Sequence, residues 1–526
     1  MRQAEALAIK NGRIMAVGKR REIMERKGKT TQVIDLEGQT LLPGFIEAHS
    51  HITASLLGMA FGTLVFQALC PKGEDVWRVV KEKAAAAKPG AWLFFFGIDP
   101  LVQDGFQLPP MEEMDGYAPE NPMIIGWANG HTFFGNSLAY RAANISKDTP
   151  DPPGGRYCKD GNGELTGRAD ETAAWMPLMK PFSDSIFKDP TSIMRGMAKY
   201  FSVMASNGVT TVTDELFIPD YTNLMIAASL LPNAIRTRAY AFTPTGQVWA
   251  PPFFGNDMFT IAGVKMVVDG SPFTGTMASC HGYIDSEFAR SRGGIDAHKD
   301  VPVFQNESKE LITKMYRTCL AKGYPAHFHV EGDKTIGAIL DIIEAALQEN
   351  PVKDHRTRLE HCAQPTYEEM QRCARLGVGA SHTIHHLCVW GDVLPQLFGE
   401  DNVQNWNPFR WDFDLGVPCS MHFDGPMTLQ EPLWALQTAV TRKTPSGRVL
   451  NAKQCITIEE ALQAYTRIPA WQLFMEEKVG TLEKGKYADL VLLTRNPRNV
   501  EPERLREIKV HSTYVAGKRV WNQEGN

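Results

Sequence analysis

The stretch LLPGFIEAHSHI, residues 41–52, decides the fold, because an apolar, strand-like run ends in the motif His49-Ser50-His51. Alternate side chains of a strand point to the same face, so both imidazoles should project together from one strand end. Histidine is the commonest metal ligand, and two imidazoles placed in this way can chelate one ion. Taken alone, such a pair is more often structural. The rest of the chain has to decide whether these residues form half of a metal site.

The composition is that of a globular enzyme and shows no bias toward nucleic acid or membrane. The 526 residues carry a formal net charge of −5, with 43% hydrophobic and 22% charged residues. This charge gives no basic footprint for nucleic acid, and no apolar run reaches the roughly 20 residues that span a bilayer. The nine cysteines are scattered, without a Cys-x-x-Cys motif, so neither a disulfide framework nor a cysteine zinc knuckle is expected. The N-terminus lacks a signal-peptide core, and we expect a cytoplasmic protein.

The two ends of the chain resemble each other and differ from the middle. Residues 4–18 and the segment from Gly480, which reads GTLEKGKYADLVLL, are short alternating strands broken by Asn-Gly and Gly-Lys turns. We predict that residues 1–42 and 478–526 form one small β-sandwich domain. Between them, residues 43–477 alternate strand-like runs with amphipathic helices, which predicts an α/β fold with a TIM-like (β/α)8 barrel.

The middle region holds more strand-like runs than an eight-stranded barrel needs. Some runs before residue 260 must therefore belong to an insertion, which we place around residues 98–185. The Pro/Gly-rich stretch at residues 148–168 is its clearest sign. The predicted strands are residues 41–49, 91–97, 122–128, 208–214, 235–242, 261–268, 324–330, 357–361, 376–381 and 415–422.

Four further polar residues fall at the ends of such runs, where barrel enzymes place their chemistry. Lys265 lies inside the apolar run IAGVKMVVDGS, and a buried lysine must be neutral, ion-paired or chemically modified. His329 lies in YPAHFHVEGD, His361 in TRLEHCAQ and Asp424 in GVPCSMHFDGP. Each has a structural alternative: a lysine paired with an aspartate, core histidines bonded to backbone, or an aspartate that caps a helix. Their order and shared position favour one catalytic centre.

The order His-x-His, Lys, His, His, Asp along a barrel with a terminal β-sandwich resembles the amidohydrolase superfamily, and in particular its amidohydrolase-3 branch. The resemblance extends from about residue 4 to residue 520, and the family usually has one more strand before residues 4–18. Within the branch, HTIHHLCVWGD, HFDGP and AVTR are similar to motifs of N-substituted formamide deformylases. The other supporting motifs are PGFIEAHSH, GHTFFGNSLAYRAANI, GVTTVTD, lysine followed by DGS, HVEGD, RLEHCAQ and GTLEKGKYADLVLL.

The resemblance implies a binuclear metal centre with two divalent ions, for which zinc is favoured. In this arrangement, His49 and His51 hold the first ion, and His329 and His361 hold the second. Lys265 then bridges the two ions as a carbamate formed with carbon dioxide. Such a modification would also explain a buried lysine, because a neutral amine reacts and two cations hold the resulting anion.

The resemblance also implies a mechanism in which Asp424 ligates the first ion and acts as the general base. A hydroxide between the two ions would attack a carbonyl polarised by a metal, because metal binding lowers the pKa of water to roughly 7. Asp424 would take the proton and deliver it to the leaving nitrogen.

Several residues are candidates for substrate contact. His131, in the GHTFFGNS segment, could donate to the substrate carbonyl or oxyanion, although a loop histidine bonded to backbone is the alternative. One of the three histidines of HTIHHLCVWGD should line the pocket, and we assign this role to His385. Aromatic residues suggest an apolar substrate group, although each is more often core packing. They are Trp127, Phe133, Phe134 and Phe273, of which we select Trp127 and Phe273.

The combined features predict a metal-dependent amidohydrolase that cleaves a non-peptide C–N bond of a small-molecule amide or N-substituted formamide. We expect no nucleic-acid or membrane partner, and the family suggests a homodimer. Deamination of a cyclic amidine or aminopurine is an alternative, but related deaminases place His-x-x-Glu after the fifth strand, and Glu331 falls one position early. A non-catalytic barrel scaffold would have lost its ligands, whereas all six ligand positions are present.

Overall fold

The computed structural model describes residues 3–242 and 251–524, and its centre is a parallel β/α barrel. Eight strands follow one another around the barrel in chain order, each parallel to its neighbour. The predicted TIM-like α/β fold is confirmed. From first to eighth, the barrel strands are Phe45–Glu47, Val209–Phe217, Arg236–Phe242, Phe259–Val267, Ala326–Gly332, Arg358–Gln364, Gly379–Thr383 and Cys419–His422.

The barrel closes between its first and eighth strands through contacts at and just beyond the strand ends. Ser50 forms a bridge with Gly425, and the backbone N–H of His51 donates to the Gly425 carbonyl over 2.7 Å. The buried carboxyl group of Glu47 accepts the backbone N–H of Phe423 at 2.6 Å. We call these five residues the barrel seam. Burial raises the pKa of Glu47 to about 7.

Helices between the strands begin and end at clear local signals. The helix Tyr367–Leu376 starts with a capping box between Thr366 and Glu369 and stops at Gly377, whose φ of 72° suits glycine. Inward-facing apolar side chains of most of these helices pack with the strands in one large core. The helices are Arg20–Met24, Ile52–Leu56, Gly73–Ala86, Met111–Tyr117, Ser137–Ala142, Thr172–Phe187, Pro190–Ser206, Thr222–Ala228, Lys309–Lys322, Asp333–Glu349, Tyr367–Leu376, His385–Cys388, Leu394–Phe398, Phe409–Leu415, Pro432–Thr441, Ile458–Ala464 and Arg467–Gln472.

A second sheet is inserted between the first and second barrel strands. Its first strand starts at Thr63, whereas the insertion predicted from the sequence starts around residue 98. The segment Leu93–Ile98 is a buried apolar strand, and composition alone does not separate it from a barrel strand. The domain boundaries remain a prediction. In spatial order, the strands of this insertion sheet are Thr63–Leu64, Leu93–Ile98, Met123–Trp127, Thr132–Gly135, Leu165–Asp170 and Arg156–Lys159.

The two termini together form a small β-sheet domain. The backbone N–H of Ile14 donates to the carbonyl of Lys486, and that of Ala488 donates to the carbonyl of Gly12, both at 2.9 Å. These bonds join the N-terminal strands to the C-terminal segment. No helix in the described residues is long and apolar enough to cross a membrane. The strands are the hairpin Ala6–Lys10 and Arg13–Gly18 and a four-stranded sheet of Thr40–Pro43, Leu490–Leu493, Val510–Val515 and Lys518–Asn522.

The terminal domain is joined to the barrel by a buried ion pair. Arg236, at the start of the third barrel strand, donates from Nε and Nη2 to the two carboxylate oxygens of Asp489 over 2.6 and 3.1 Å. Both side chains are only 2% exposed. The pair fixes the terminal sheet against the amino-terminal end of the barrel, opposite the strand ends that carry the predicted ligands.

Candidate metal centre

The fold brings the six predicted metal ligands to the carboxyl ends of five barrel strands. The first strand leads into the His-x-His motif, and the eighth leads into the aspartate. The fourth, fifth and sixth strands each contribute one side chain. These residues are His49 and His51, Lys265, His329, His361, and Asp424.

One group of donors surrounds Asp424. Its Oδ1 lies 3.0 Å from Nε2 of His51 and 3.3 Å from Nε2 of His49. Within the described residues, His49 Nε2 and Asp424 Oδ1 are buried without a well-aligned hydrogen bond. The three ligand atoms lie within 4.8 Å of one another. This arrangement, with two imidazoles and a carboxylate, suits a divalent cation.

A second group of donors lies beside the first. The rings of His329 and His361 are 4.4 Å apart, and the His361 ring is 4.7 Å from that of His49. Burial holds the pKa values of His329 and His361 well below the ordinary range for histidine. Neutral imidazoles are the form that binds metals, so the site is prepared for ligation without loss of protons.

Lys265 lies on the fourth barrel strand and is 1% exposed. Its Nζ has no hydrogen-bond partner in the part of the chain that the structure describes. Burial lowers the pKa of Lys265. The positive charge of Lys265 in turn disfavours protonation of His49 and His361. A lysine with a lowered pKa and an unpartnered amine fits a position at which the amine is modified or neutral.

A charged network beneath the site orients His49. The Nδ1 atom of His49 lies 2.6 Å from Oε2 of Glu360, so the proton sits on Nδ1 and Nε2 faces Asp424. Arg358 holds Glu360 and also donates to Glu215 over 3.0 Å. This network was not predicted from the sequence. Arg358 and Glu360 flank Leu359 in RLEHCAQ, which indicates that they share one face of a strand but does not identify the side chains that they meet.

Two of the predicted ligands have a strained backbone. His361 has φ of 68° and Asp424 has φ of 52°, a region that residues other than glycine rarely adopt. Each such residue costs on the order of 1–3 kcal/mol and persists only where the surroundings impose it. The ring of His382 contacts the backbone of His361: its Nδ1 lies 3.3 Å from the His361 carbonyl oxygen, and its Nε2 lies 2.6 Å from Oδ2 of Asp412.

The insertion sheet brings His131 to the edge of the second group. Its ring centroid is 5.8 Å from that of His329, and its Nδ1 lies 2.8 Å from Oε2 of Glu171. Burial alone would lower the pKa of His131, but the charge and hydrogen bond of Glu171, together with the charges of Asp424 and Asp269, outweigh it and the pKa is raised. The predicted substrate contact therefore faces the cluster, and its partner Glu171 was not found from sequence.

The other predicted substrate contacts are more deeply packed. His385 donates from Nδ1 to the carbonyl of Phe423 over 2.7 Å, and burial lowers its pKa to about 4. Phe273 stacks on Trp390 with centroids 4.5 Å apart, and His385 meets the same indole edge-on at 4.9 Å. Trp127 lies instead in the insertion sheet and is 2% exposed. Their roles in substrate binding remain predictions.

Glu331 is a further acidic residue near the second group. Its Oε1 is 4.0 Å from both Nδ1 of His361 and Nε2 of His386. Asp269, from the segment that follows Lys265, accepts the backbone N–H of Glu331 at 3.0 Å and fixes the end of the fifth strand. In the sequence, Glu331 lies one position away from the deaminase motif, and no role was predicted for it.

A β/α barrel whose strand ends present histidines and carboxylates defines a class of metal-dependent hydrolases. Residues 32–521 match the family model described as "Amidohydrolase family". The chain therefore belongs to the amidohydrolase family, and the resemblance inferred from the motifs is confirmed.

Similar proteins extend over nearly the whole chain. An N-substituted formamide deformylase from Arthrobacter pascens is 26% identical over 533 residues, which cover 99% of this chain and 96% of that protein. The protein LONG AFTER FAR-RED 3 from Arabidopsis thaliana is 27% identical, and the match covers 98% of this chain and 88% of that protein.

Solved structures share the fold. An uncharacterized metal-dependent hydrolase from Pyrococcus horikoshii OT3 superposes with a TM-score of 0.73 at 20% identity and covers 94% of each chain. Atrazine chlorohydrolase TrzN from Arthrobacter aurescens TC1, complexed with zinc, gives a TM-score of 0.54 at 16% identity and covers 99% of this chain and 91% of that one. At these identities, the likeness concerns the fold alone.

Proposed function

We propose that this protein is a metal-dependent hydrolase that cleaves the C–N bond of a small organic amide or N-substituted formamide. The observation that carries this proposal is the convergence of two histidine groups around Asp424 and the buried Lys265. The similarity to an N-substituted formamide deformylase over nearly the full length of both chains supports the choice of substrate class.

In this proposal, two divalent ions occupy the site. His49, His51 and Asp424 hold one of them, while His329 and His361 hold the other. The donor set fits such ions, because imidazole nitrogen and carboxylate oxygen both ligate zinc and its neighbours. When bound, the ions acidify water and polarise a carbonyl group. Lys265 would carry a carbamate formed with carbon dioxide, and this anion would supply a further ligand to the site.

Asp424 acts as the general base. Burial tends to raise its pKa, but His49 and His51 hold the pKa well below the ordinary range for aspartate, so the carboxylate is ionised. It takes a proton from the attacking water and passes it to the leaving nitrogen. His131 contacts the carbonyl oxygen.

Deamination of a cyclic amidine or aminopurine is the second candidate, because Glu331 is grouped with His329 and His361. In that reaction, an acidic side chain beside the fifth strand would serve the leaving ammonia.

A hydrolysis panel tests the two candidates against each other. After metal reconstitution, the protein should release formate and amine from N-benzylformamide-like compounds faster than ammonia from cyclic amidines or aminopurines. The Asp424→Asn variant should lose roughly 10²–10⁴-fold in kcat while much of the metal remains bound. If ammonia release dominates the panel, the deaminase assignment replaces the proposal. Near wild-type turnover in Asp424→Asn would place proton transfer elsewhere.

A further inference from the structure

Glu171 has a backbone conformation that is almost confined to glycine. Its φ is 66° and its ψ is 158°, at the residue that precedes the helix Thr172–Phe187. An L side chain is strained there, and such strain persists only where the surrounding structure imposes it. Strained residues cluster at functional sites, which suggests that the side chain of Glu171 has a role that a glycine could not fill.

Two hydrogen bonds join Glu171 to His131, which lies between the strands Met123–Trp127 and Thr132–Gly135 of the insertion sheet. The backbone N–H of Glu171 donates to the carbonyl of His131 over 2.7 Å. Its carboxylate Oε2 lies 2.8 Å from Nδ1 of the same histidine and accepts that proton. The side chain of Asn129 adds a third contact by accepting the backbone N–H of His131 at 2.8 Å. Main chain and ring of His131 are thus both fixed.

These contacts also select the nitrogen that His131 presents. Because Nδ1 is bonded to Glu171, Nε2 is the nitrogen left for a substrate. The His131 ring lies 5.8 Å from that of His329, beside the proposed second metal position. His131 and Glu171 are each 15% exposed, so a small molecule at the site can reach this pair.

We propose that Glu171 is a positioning residue that holds His131 with Nε2 directed at the oxygen of the carbonyl group under attack. The inference rests on the proposed hydrolase function and adds to it a residue that acts through His131. A glycine at position 171 would relieve the backbone strain, but it would have no carboxylate to fix the ring. The strained conformation is therefore the cost of orienting His131.

The test compares stability with activity in Glu171→Gly. We expect an unchanged or higher Tm and an unchanged metal content, together with a fall in kcat/KM of about 10²-fold, as expected for a misplaced catalytic group. Glu171→Gln keeps an oxygen that accepts from Nδ1 and should retain more activity than Glu171→Gly. In a His131→Ala background, Glu171→Gly should cause little further loss.

Glu37→Gly is the matched control, because Glu37 is an exposed glutamate in the left-handed region with φ of 48°. It should leave kcat/KM unchanged. A lower Tm for Glu171→Gly with a parallel loss of metal would assign Glu171 a structural role and overturn the inference. Unchanged kcat/KM in Glu171→Gly would also overturn it.

The orientation of His131 provides a readout that needs no substrate. A crystal structure of Glu171→Gly should show the His131 ring rotated or in several orientations, and an unmoved ring would overturn the inference. Wild-type protein that is fully metallated yet hydrolyses nothing in the panel would instead overturn the proposed function, which separates the two failures.

Discussion

At the residue scale, the site depends on which nitrogen each histidine presents. Three histidines of the site share one arrangement, in which a neighbouring side chain engages Nδ1 and leaves Nε2 for a ligand. Such partners fix the ring orientation and raise the basicity of a metal-binding imidazole. The pairs are His49 with Glu360 at 2.6 Å, His361 with Thr383 at 2.7 Å and His131 with Glu171 at 2.8 Å.

Thr383→Val tests this arrangement at His361. The substitution keeps the shape of the side chain and removes the hydroxyl group, which lies 2.7 Å from Nδ1 of His361 and 3.2 Å from Nε2 of His422. We expect metal affinity to fall by about 10–100-fold, as for other partners of metal-binding histidines. Competition with a chromophoric chelator measures this affinity. Thr318→Val is the control, because its hydroxyl bonds only within its own helix, and equal affinities in both variants would contradict the assignment.

Lys265→Ala tests the proposed carbamate bridge between the two donor groups. The variant should lose metal and activity together, because no anion would remain to join the two ions. A small carboxylic acid added to the variant should partly restore both by replacing the carbamate. Metal analysis with and without the acid measures the effect. A crystal structure of active, fully metallated wild-type protein that shows an unmodified lysine would refute the bridge.

At the element scale, the strands were predictable, whereas the partners of the ligands were not. All ten predicted runs overlap strands, because buried parallel strands are short apolar runs bounded by turn signals. The ligands were visible because polar residues stand out at the ends of such runs. Glu360 and Glu171 were not predicted because each contacts a histidine that is distant in sequence. Glu360 is 311 residues from His49, and Glu171 is 40 residues from His131.

Asp489→Ala tests the joint between the terminal sheet and the third barrel strand. The variant leaves the buried Arg236 without its carboxylate, and we expect a loss of about 3–5 kcal/mol in the free energy of unfolding. Thermal or urea unfolding followed by circular dichroism measures it. Glu431→Ala breaks a similar but exposed two-point pair with Arg506 and should cost less than about 1 kcal/mol. Equal losses would mean that burial does not set the strength of the joint.

At the scale of the whole molecule, metal binding should stabilise the fold. An ion that binds only the folded chain raises the free energy of unfolding by about 2.7 kcal/mol at a concentration of 100 times its Kd. We expect about two divalent ions per chain and a chelator-induced fall in Tm that added metal reverses. Elemental analysis and thermal unfolding measure these quantities. Protein expressed with added zinc or manganese that carries no transition metal would contradict the site.

The barrel seam is the place where loss of metal should first loosen the fold. The ligands of one proposed ion come from both sides of the seam, with His49 and His51 on the first strand side and Asp424 on the eighth. The ion would therefore hold the first and eighth strands together where the barrel is closed by isolated contacts. Its departure would favour local opening there, ahead of global unfolding. Backbone amides at the seam should then exchange with solvent faster in the metal-free protein, while those between the fifth and sixth strands keep their protection.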